Sequence, residues 1–227
     1  MKEITTILLD VDGTLLDFNK AQSAALKRVF EQNALDLTTS TLALYDEINH
    51  GLWKQYELGE ISRDTVLYTR FVRLFERLGI PLDGVAFEKQ YQALLAEGAY
   101  LLPGALPLVT YLSDHYDLYI VTNGVAKTQH KRLEASGLDK FMKDIFISET
   151  LGYQKPDVRF FNKCYEQIPN ADPAKMIIIG DTLTSDILGG NNAGITTCWY
   201  NPNGETNHTN ATVDLEIKHL DELYQYL

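Results

Sequence analysis

The sequence predicts an α/β protein, a parallel sheet flanked by helices, with a helical segment inserted after the first strand. Three observations carry that expectation. A short apolar run, Ile4 to Leu9, opens the chain; the stretch from about Asn19 to Gly98 is helical in pattern throughout; and from Leu102-Pro103-Gly104 onward helical and strand-like segments alternate to the end. Alternation of that kind is the signature of βαβ units, whose strands lie in one parallel sheet.

The first run is rich in leucine and β-branched residues and does not alternate with polar ones, as expected of a strand buried on both faces. It ends in Asp10-Val11-Asp12-Gly13-Thr14. Alternate side chains of an extended chain point the same way, so Asp10 and Asp12 can face one small space. Four amphipathic helices are then expected. Ala21, Ala25 and Val29 mark the first, and Tyr45, Ile48, Leu52 and Tyr56 the second. Leu67, Phe71, Leu74, Phe75 and Leu78 mark the third, and Phe87, Tyr91, Leu94 and Leu95 the fourth. Ser62 can cap the third helix, and Gly79 with Pro81 ends it. Further strands are expected at Asp117 to Val121, Ile145 to Ser148, Met176 to Ile179, Ile195 to Trp199 and, more weakly patterned, Val213 to Ile217. Between them run helices such as Lys127 to Ser136, stopped by Gly137, and Val158 to Gln167, capped by Asp157. The expected organisation is a sheet domain of residues 1–16 and 99–227, split by a helical domain of residues 17–98.

Composition narrows the partners. A chain of 227 residues, 45% hydrophobic, can bury a large core. Its net charge of -11 repels nucleic acid and anionic membrane surfaces, which are bound chiefly through Lys and Arg. No stretch has the length of a membrane span or of a secretion signal, which points to the cytoplasm. The two cysteines, Cys164 and Cys198, have no metal-ligand spacing and read as buried thiols.

In open α/β sheets the ligand site lies beyond the carboxyl ends of the strands. Four such ends carry chemistry: Asp10 and Asp12; Thr122-Asn123-Gly124; Lys155-Pro156-Asp157; and Gly180-Asp181 through Asp186. Singly, each has an ordinary explanation as turn or helix-start chemistry. Their coincidence at one sheet edge does not.

These four segments resemble the four motifs of the haloacid dehalogenase superfamily across the whole sheet domain. The resemblance implies a Rossmann-like core, a helical cap inserted after the first strand, and a magnesium-dependent phosphotransferase with an aspartate nucleophile. It makes Asp10 the nucleophile and Asp12 the acid that protonates the departing alcohol and later deprotonates water. Thr122 and the Asn123 backbone N–H would hold phosphoryl oxygens together with Lys155. Mg²⁺ would take the Asp10 carboxylate, the Asp12 carbonyl and Asp181, with Asp186 steadying the shell. The charges agree with a cation. Four aspartates meet a phosphate of about -1.5 to -2, and two like charges ~4 Å apart repel by about 4 kcal/mol at an effective dielectric of ~20.

A dehalogenase is disfavoured because it has no use for an acid at Asp12. Local likeness in Leu52 to Tyr56, Gly59-Glu60-Ile61, Ile147-Ser148-Glu149 and Asp186 through Trp199 resembles bacterial pyrimidine 5'-nucleotidases of the superfamily. That implies hydrolysis of pyrimidine nucleoside monophosphates. A sugar-phosphate phosphatase or phosphomutase, or a phosphate-binding protein without catalysis, are the alternatives. Trp53, Tyr45 and Tyr56 could stack on a base, but aromatics at helical spacing more often form core, and Gly189-Gly190 reads as close helix packing. Oligomeric state is not legible.

Overall fold

The computed structural model describes residues 3–227; residues 1 and 2, the start of the expected 1–16 segment, lie outside it. The chain forms two compact units, one ending at Phe18 and resuming at Ala99, the other running Asn19–Gly98.

In the first unit, strands β1 (Thr6–Leu9), β2 (Asp117–Thr122), β3 (Asp144–Ile147), β4 (Met176–Gly180), β5 (Thr196–Tyr200) and β6 (Leu215–Ile217) make one sheet in the order β3-β2-β1-β4-β5-β6. Every pairing is parallel. The expected first strand begins later than its apolar run: Ile4 packs against the core outside the strand. The final strand likewise starts at Leu215 rather than Val213.

The chain runs from β1 to β2 and β3 on one side, then crosses to β4 and β5 on the other. The order therefore reverses beside β1, and ligand crevices open at such switch points. Both faces are covered, as the unalternating strands require. Ile7 and Leu9 of β1 face a cluster with Leu108, Val109 and Leu112, whereas Leu8 faces Phe160, Phe161 and Cys164. Gly189 and Gly190 serve packing: a Cβ on Gly189 would lie 2.8 Å from the Phe161 ring, and one on Gly190 would lie 2.6 Å from Ile178 Cγ2.

The second unit is helical. It holds α2 (Thr39–Glu57), α3 (Arg63–Leu78), α4 (Gly84–Leu95) and all but the first residue of α1 (Phe18–Gln32). Thr38, Ser62 and Asp83 cap α2, α3 and α4 through side-chain oxygens, and Gly79 closes α3 at φ 66°, where its missing Cβ relieves strain. Tyr45, Phe71, Phe75, Phe87 and Tyr91 form an aromatic core, so Tyr45 is packing, stacked on Phe71 with 5.3 Å between ring centroids. Tyr56 is buried as well, while Trp53 is half-buried.

Helices α5 (Ala105–Ser113), α6 (Ala126–Ser136), α7 (Ser148–Leu151), α8 (Val158–Tyr165) and α9 (Leu188–Ala193) complete the sheet unit. Among the described residues no helix is long and apolar enough to cross a membrane.

Candidate active site

The carboxyl ends of β1, β2 and β4 are neighbours, and the register aligns Leu9 with both Ile120 and Ile179. Asp10 therefore leaves β1 beside the residues that follow Ile179. Its backbone N–H is tied to the Ile179 carbonyl at 3.0 Å. After Gly180 the chain makes a wide π-helical turn, Leu183–Ile187, instead of starting an ordinary helix. That turn brings Asp186 back so that its Oδ2 accepts from the Thr182 N–H at 3.1 Å. Carboxylate oxygens of Asp10, Asp181 and Asp186 lie within 4.8 Å of one another.

Lys155 reaches this cluster from the loop after β3, at a cis Lys155-Pro156 bond. Its ammonium is buried and donates to Asp10 Oδ1 at 2.7 Å, Asp186 Oδ1 at 2.6 Å and the Val121 carbonyl at 2.7 Å. An ammonium has three donors, and all three are directed at protein here. The resemblance assigned Lys155 to phosphate; as placed, it holds Asp10 and offsets charge. Asn123 locks the lysine's backbone, donating to the Lys155 carbonyl and accepting from its N–H, each at 2.9 Å.

Three carboxylates against one ammonium leave the cluster anionic. Burial raises the Asp10 pKa from 3.8 to about 7; Lys155 pulls it down and Asp186 pushes it up. Asp181 is raised well above its ordinary value, again by burial first and then by Asp10 and Asp186. Burial opposes the Lys155 ammonium, yet Asp10 and Asp186 outweigh it and raise its pKa.

A magnesium ion fits this donor set. Hard oxygen ligands and surplus negative charge are what it requires, and the space is shaped by a glycine. Gly13 sits at φ 85°, and a Cβ there would lie 2.3 Å from Asp181 Oδ2. Asp10, Asp181 and Asp186 would hold the ion. Asp12 stands apart from the three-carboxylate group, and what it could offer a metal is its carbonyl. Its carboxylate instead accepts from Arg132 through Oδ1 and from Gln129 Nε2 through Oδ2, the latter at 2.8 Å. Thr122 Oγ1 accepts from Gln129 Nε2 at 2.8 Å and from the Gly124 N–H at 3.1 Å.

With this geometry in view, comparison with known proteins is decisive for the family. The family model described as haloacid dehalogenase-like hydrolase matches residues 7–200. The chain belongs to the haloacid dehalogenase-like hydrolases. Within that family it is 46% identical to the HAD-hydrolase YfnB of Bacillus subtilis strain 168, over 100% of this chain and 97% of YfnB. It is 41% identical to the pyrimidine 5'-nucleotidase PynA of Streptococcus pneumoniae R6, over 97% of this chain and 94% of PynA. With the pyrimidine 5'-nucleotidase YjjG of Escherichia coli K12 it shares 32% identity over 97% of this chain and 96% of YjjG. The crystal structure of YfnB bound to magnesium superimposes with a TM-score of 0.94, covering 100% of this chain and 99% of YfnB.

Several residues around this hydrolase site were not legible beforehand. Thr14 is buried, with Oγ1 at 3.3 Å from Asp10 Oδ2 and 3.5 Å from Asp181 Oδ1. Trp199 donates to the Asp181 carbonyl at 2.9 Å. Gln129 and Arg132 lie on α6 and, with Thr128 and Leu133, make up its buried face, a mostly polar one that no apolar periodicity marks.

Proposed function

We propose that this hydrolase is a magnesium-dependent phosphomonoesterase that forms an aspartyl phosphate on Asp10 and acts on pyrimidine nucleoside 5'-monophosphates. The observation that carries the substrate class is the end-to-end match to PynA and YjjG, 97% of this chain in each case, which includes the helical insertion. The chemistry rests on the clustered carboxylates of Asp10, Asp181 and Asp186 with buried Lys155.

In this reading the ionised Asp10 carboxylate attacks phosphorus in line with the ester oxygen. The P–O ester bond breaks, its electron pair stays with the nucleoside oxygen, and Asp12, which enters this step protonated, delivers its proton to that oxygen. Water then attacks the aspartyl phosphate, Asp12 takes its proton, and inorganic phosphate leaves with Asp10 restored. Thr122 and the Asn123 backbone N–H hold phosphoryl oxygens while Lys155 keeps Asp10 aimed. A bound Mg²⁺ supplies charge neutralisation at the phosphoryl oxygens, the kind of stabilisation on which phosphoryl transfer depends most. The cytoplasm is the proposed location, since both cysteines are buried free thiols that suit a reducing compartment. The net charge of -11 argues for a small phosphate ester rather than nucleic acid as partner.

The test is phosphate release with Mg²⁺ from a panel of pyrimidine and purine monophosphates and sugar phosphates. Pyrimidine nucleotides are expected to give the highest kcat/KM. Preference for sugar phosphates, or interconversion of sugar phosphate isomers, would replace the nucleotidase reading with that of a sugar-phosphate enzyme of the same family.

A further inference from the structure

We infer that Gln129 and Arg132 of α6 are positioning residues that aim the Asp12 carboxylate at the departing oxygen and turn the Thr122 hydroxyl toward the phosphoryl group. The inference rests on the proposed role of Asp12 as acid and base.

Both side chains are almost fully enclosed, Arg132 at 0% and Gln129 at 1% exposure. Burying a guanidinium is costly unless an anion meets it, and the anion here is Asp12, whose own side chain is 26% exposed. The pair is thus one-sided: a sealed cation holds an acid that still faces open space. Arg132 Nη1 also donates to Gln129 Oε1 at 3.0 Å. That contact fixes the sense of the Gln129 amide, because its oxygen must face the guanidinium and its NH₂ must face away. The two N–H bonds of the NH₂ are then divided between Asp12 Oδ2 and Thr122 Oγ1, each at 2.8 Å. Both Asp12 oxygens are held, and the carboxylate plane cannot swing freely.

The consequence for Thr122 follows from counting. A hydroxyl offers two acceptor sites and one donor. Its oxygen accepts from Gln129 and from the Gly124 N–H, so the hydroxyl hydrogen is left to be given elsewhere. In the proposed reaction the acceptor is a phosphoryl oxygen. Gly124 permits the arrangement, since a Cβ at that position would lie 2.6 Å from Gln129 Nε2. An arginine that merely anchored α6 to the loop after β1 would not need an amide linking the acid to the phosphate-binding hydroxyl.

The discriminating measurement is kcat/KM for two esters, a nucleoside 5'-monophosphate with a poorly departing alkoxide and p-nitrophenyl phosphate, whose phenolate departs without help. This quantity covers steps through formation of the aspartyl phosphate, so the later use of Asp12 as a base does not enter. Their ratio cancels effects on phosphoryl binding, which both esters share. In Arg132→Met and Gln129→Met the alkyl-to-aryl ratio is expected to fall about 10- to 100-fold, in line with the loss of groups that orient a catalytic residue. Arg132→Lys, which keeps a cationic donor, is expected to fall between. In Gln129→Met inhibition by inorganic phosphate should also weaken several-fold. Asp12→Asn serves as the reference and should show the largest drop in ratio. An unchanged ratio in both Met variants, with Asp12→Asn changed, overturns the positioning role alone. An unchanged ratio in Asp12→Asn overturns the acid role and with it this inference. Should Arg132→Met fail to fold, as thermal melting would reveal, Gln129→Met carries the test, because it removes no charge.

Discussion

At Asp10 the two carboxylate oxygens are already divided, Oδ1 against Lys155 at 2.7 Å and Oδ2 near Thr14 at 3.3 Å. As the proposed nucleophile, Asp10 held so would be aimed before substrate arrives, which is how proximity lowers a barrier. The same crowding has a titration consequence. Because the folded pKa of Asp10 is raised from 3.8 to about 7, the metal-free folded chain holds a proton there that the unfolded chain has released. This group's contribution to stability therefore falls as pH rises from about 4 to about 7, where the folded state binds more protons than the unfolded one. A cation must displace that proton. Asp181, raised as well, adds to the same competition, so apparent Mg²⁺ affinity is expected to weaken as pH falls, by about tenfold per pH unit for each proton exchanged. Calorimetric titration at pH 6, 7 and 8 checks this; an affinity indifferent to pH would argue that Mg²⁺ does not bind to these carboxylates.

Single elements explain what could and could not be read in advance. β1 and β4 were visible because strands buried on both faces are continuous apolar runs, and α3 was visible through Ser62 and Gly79. The acidic residues were visible because they follow strand ends. Gln129 and Arg132 were not, because a polar side chain on an amphipathic helix reads as solvated until tertiary structure seals it. The π-helical turn at Leu183–Ile187 was also hidden, since it trades helix geometry for the position of Asp186. Arg70 was hidden for the same reason as Arg132. On α3 it donates to Glu88 of α4 through Nε at 2.7 Å and Nη2 at 2.6 Å, and to Asn49 of α2 through Nη1 at 2.9 Å. Its guanidinium also lies 4.8 Å from the Tyr91 ring centroid. One side chain thereby ties three helices. Arg70→Ala would leave Glu88 buried without its counter-charge, at a cost of about 3–5 kcal/mol. Arg70→Met combined with Glu88→Leu, which removes both charges, should recover most of it. Urea unfolding of the three proteins decides; an equal loss in the single and double variants would show that packing, not charge, dominates there.

Over the whole molecule, the insertion leaves the sheet unit after Phe18 and returns at Ala99, and the two connections are stitched together inside that unit. Leu16 and Leu101 form an antiparallel bridge, Asp17 N–H donates to the Tyr100 carbonyl at 2.8 Å, and Leu102 N–H donates to the Leu15 carbonyl at 2.9 Å. The Asp10-to-Thr14 segment is therefore bounded by β1 on one side and by this short ladder on the other. An 80-residue gap in the sheet unit's sequence, Asn19–Gly98, need not loosen the site it interrupts. What the sequence motifs share is a sheet edge, and the structure brings Asp10, Lys155, Asp181 and Asp186 together there from strands far apart in the chain. In the proposed reaction Asp10 becomes covalently phosphorylated during turnover. Quenching the enzyme with borohydride while it hydrolyses a nucleotide reduces an aspartyl phosphate to homoserine, which peptide mass spectrometry locates. Homoserine is expected at position 10, dependent on substrate and Mg²⁺, with a loss of turnover beyond about 10⁴-fold in Asp10→Asn. Homoserine at a different carboxylate, or an Asp10→Asn enzyme within about tenfold of the native rate, would contradict it.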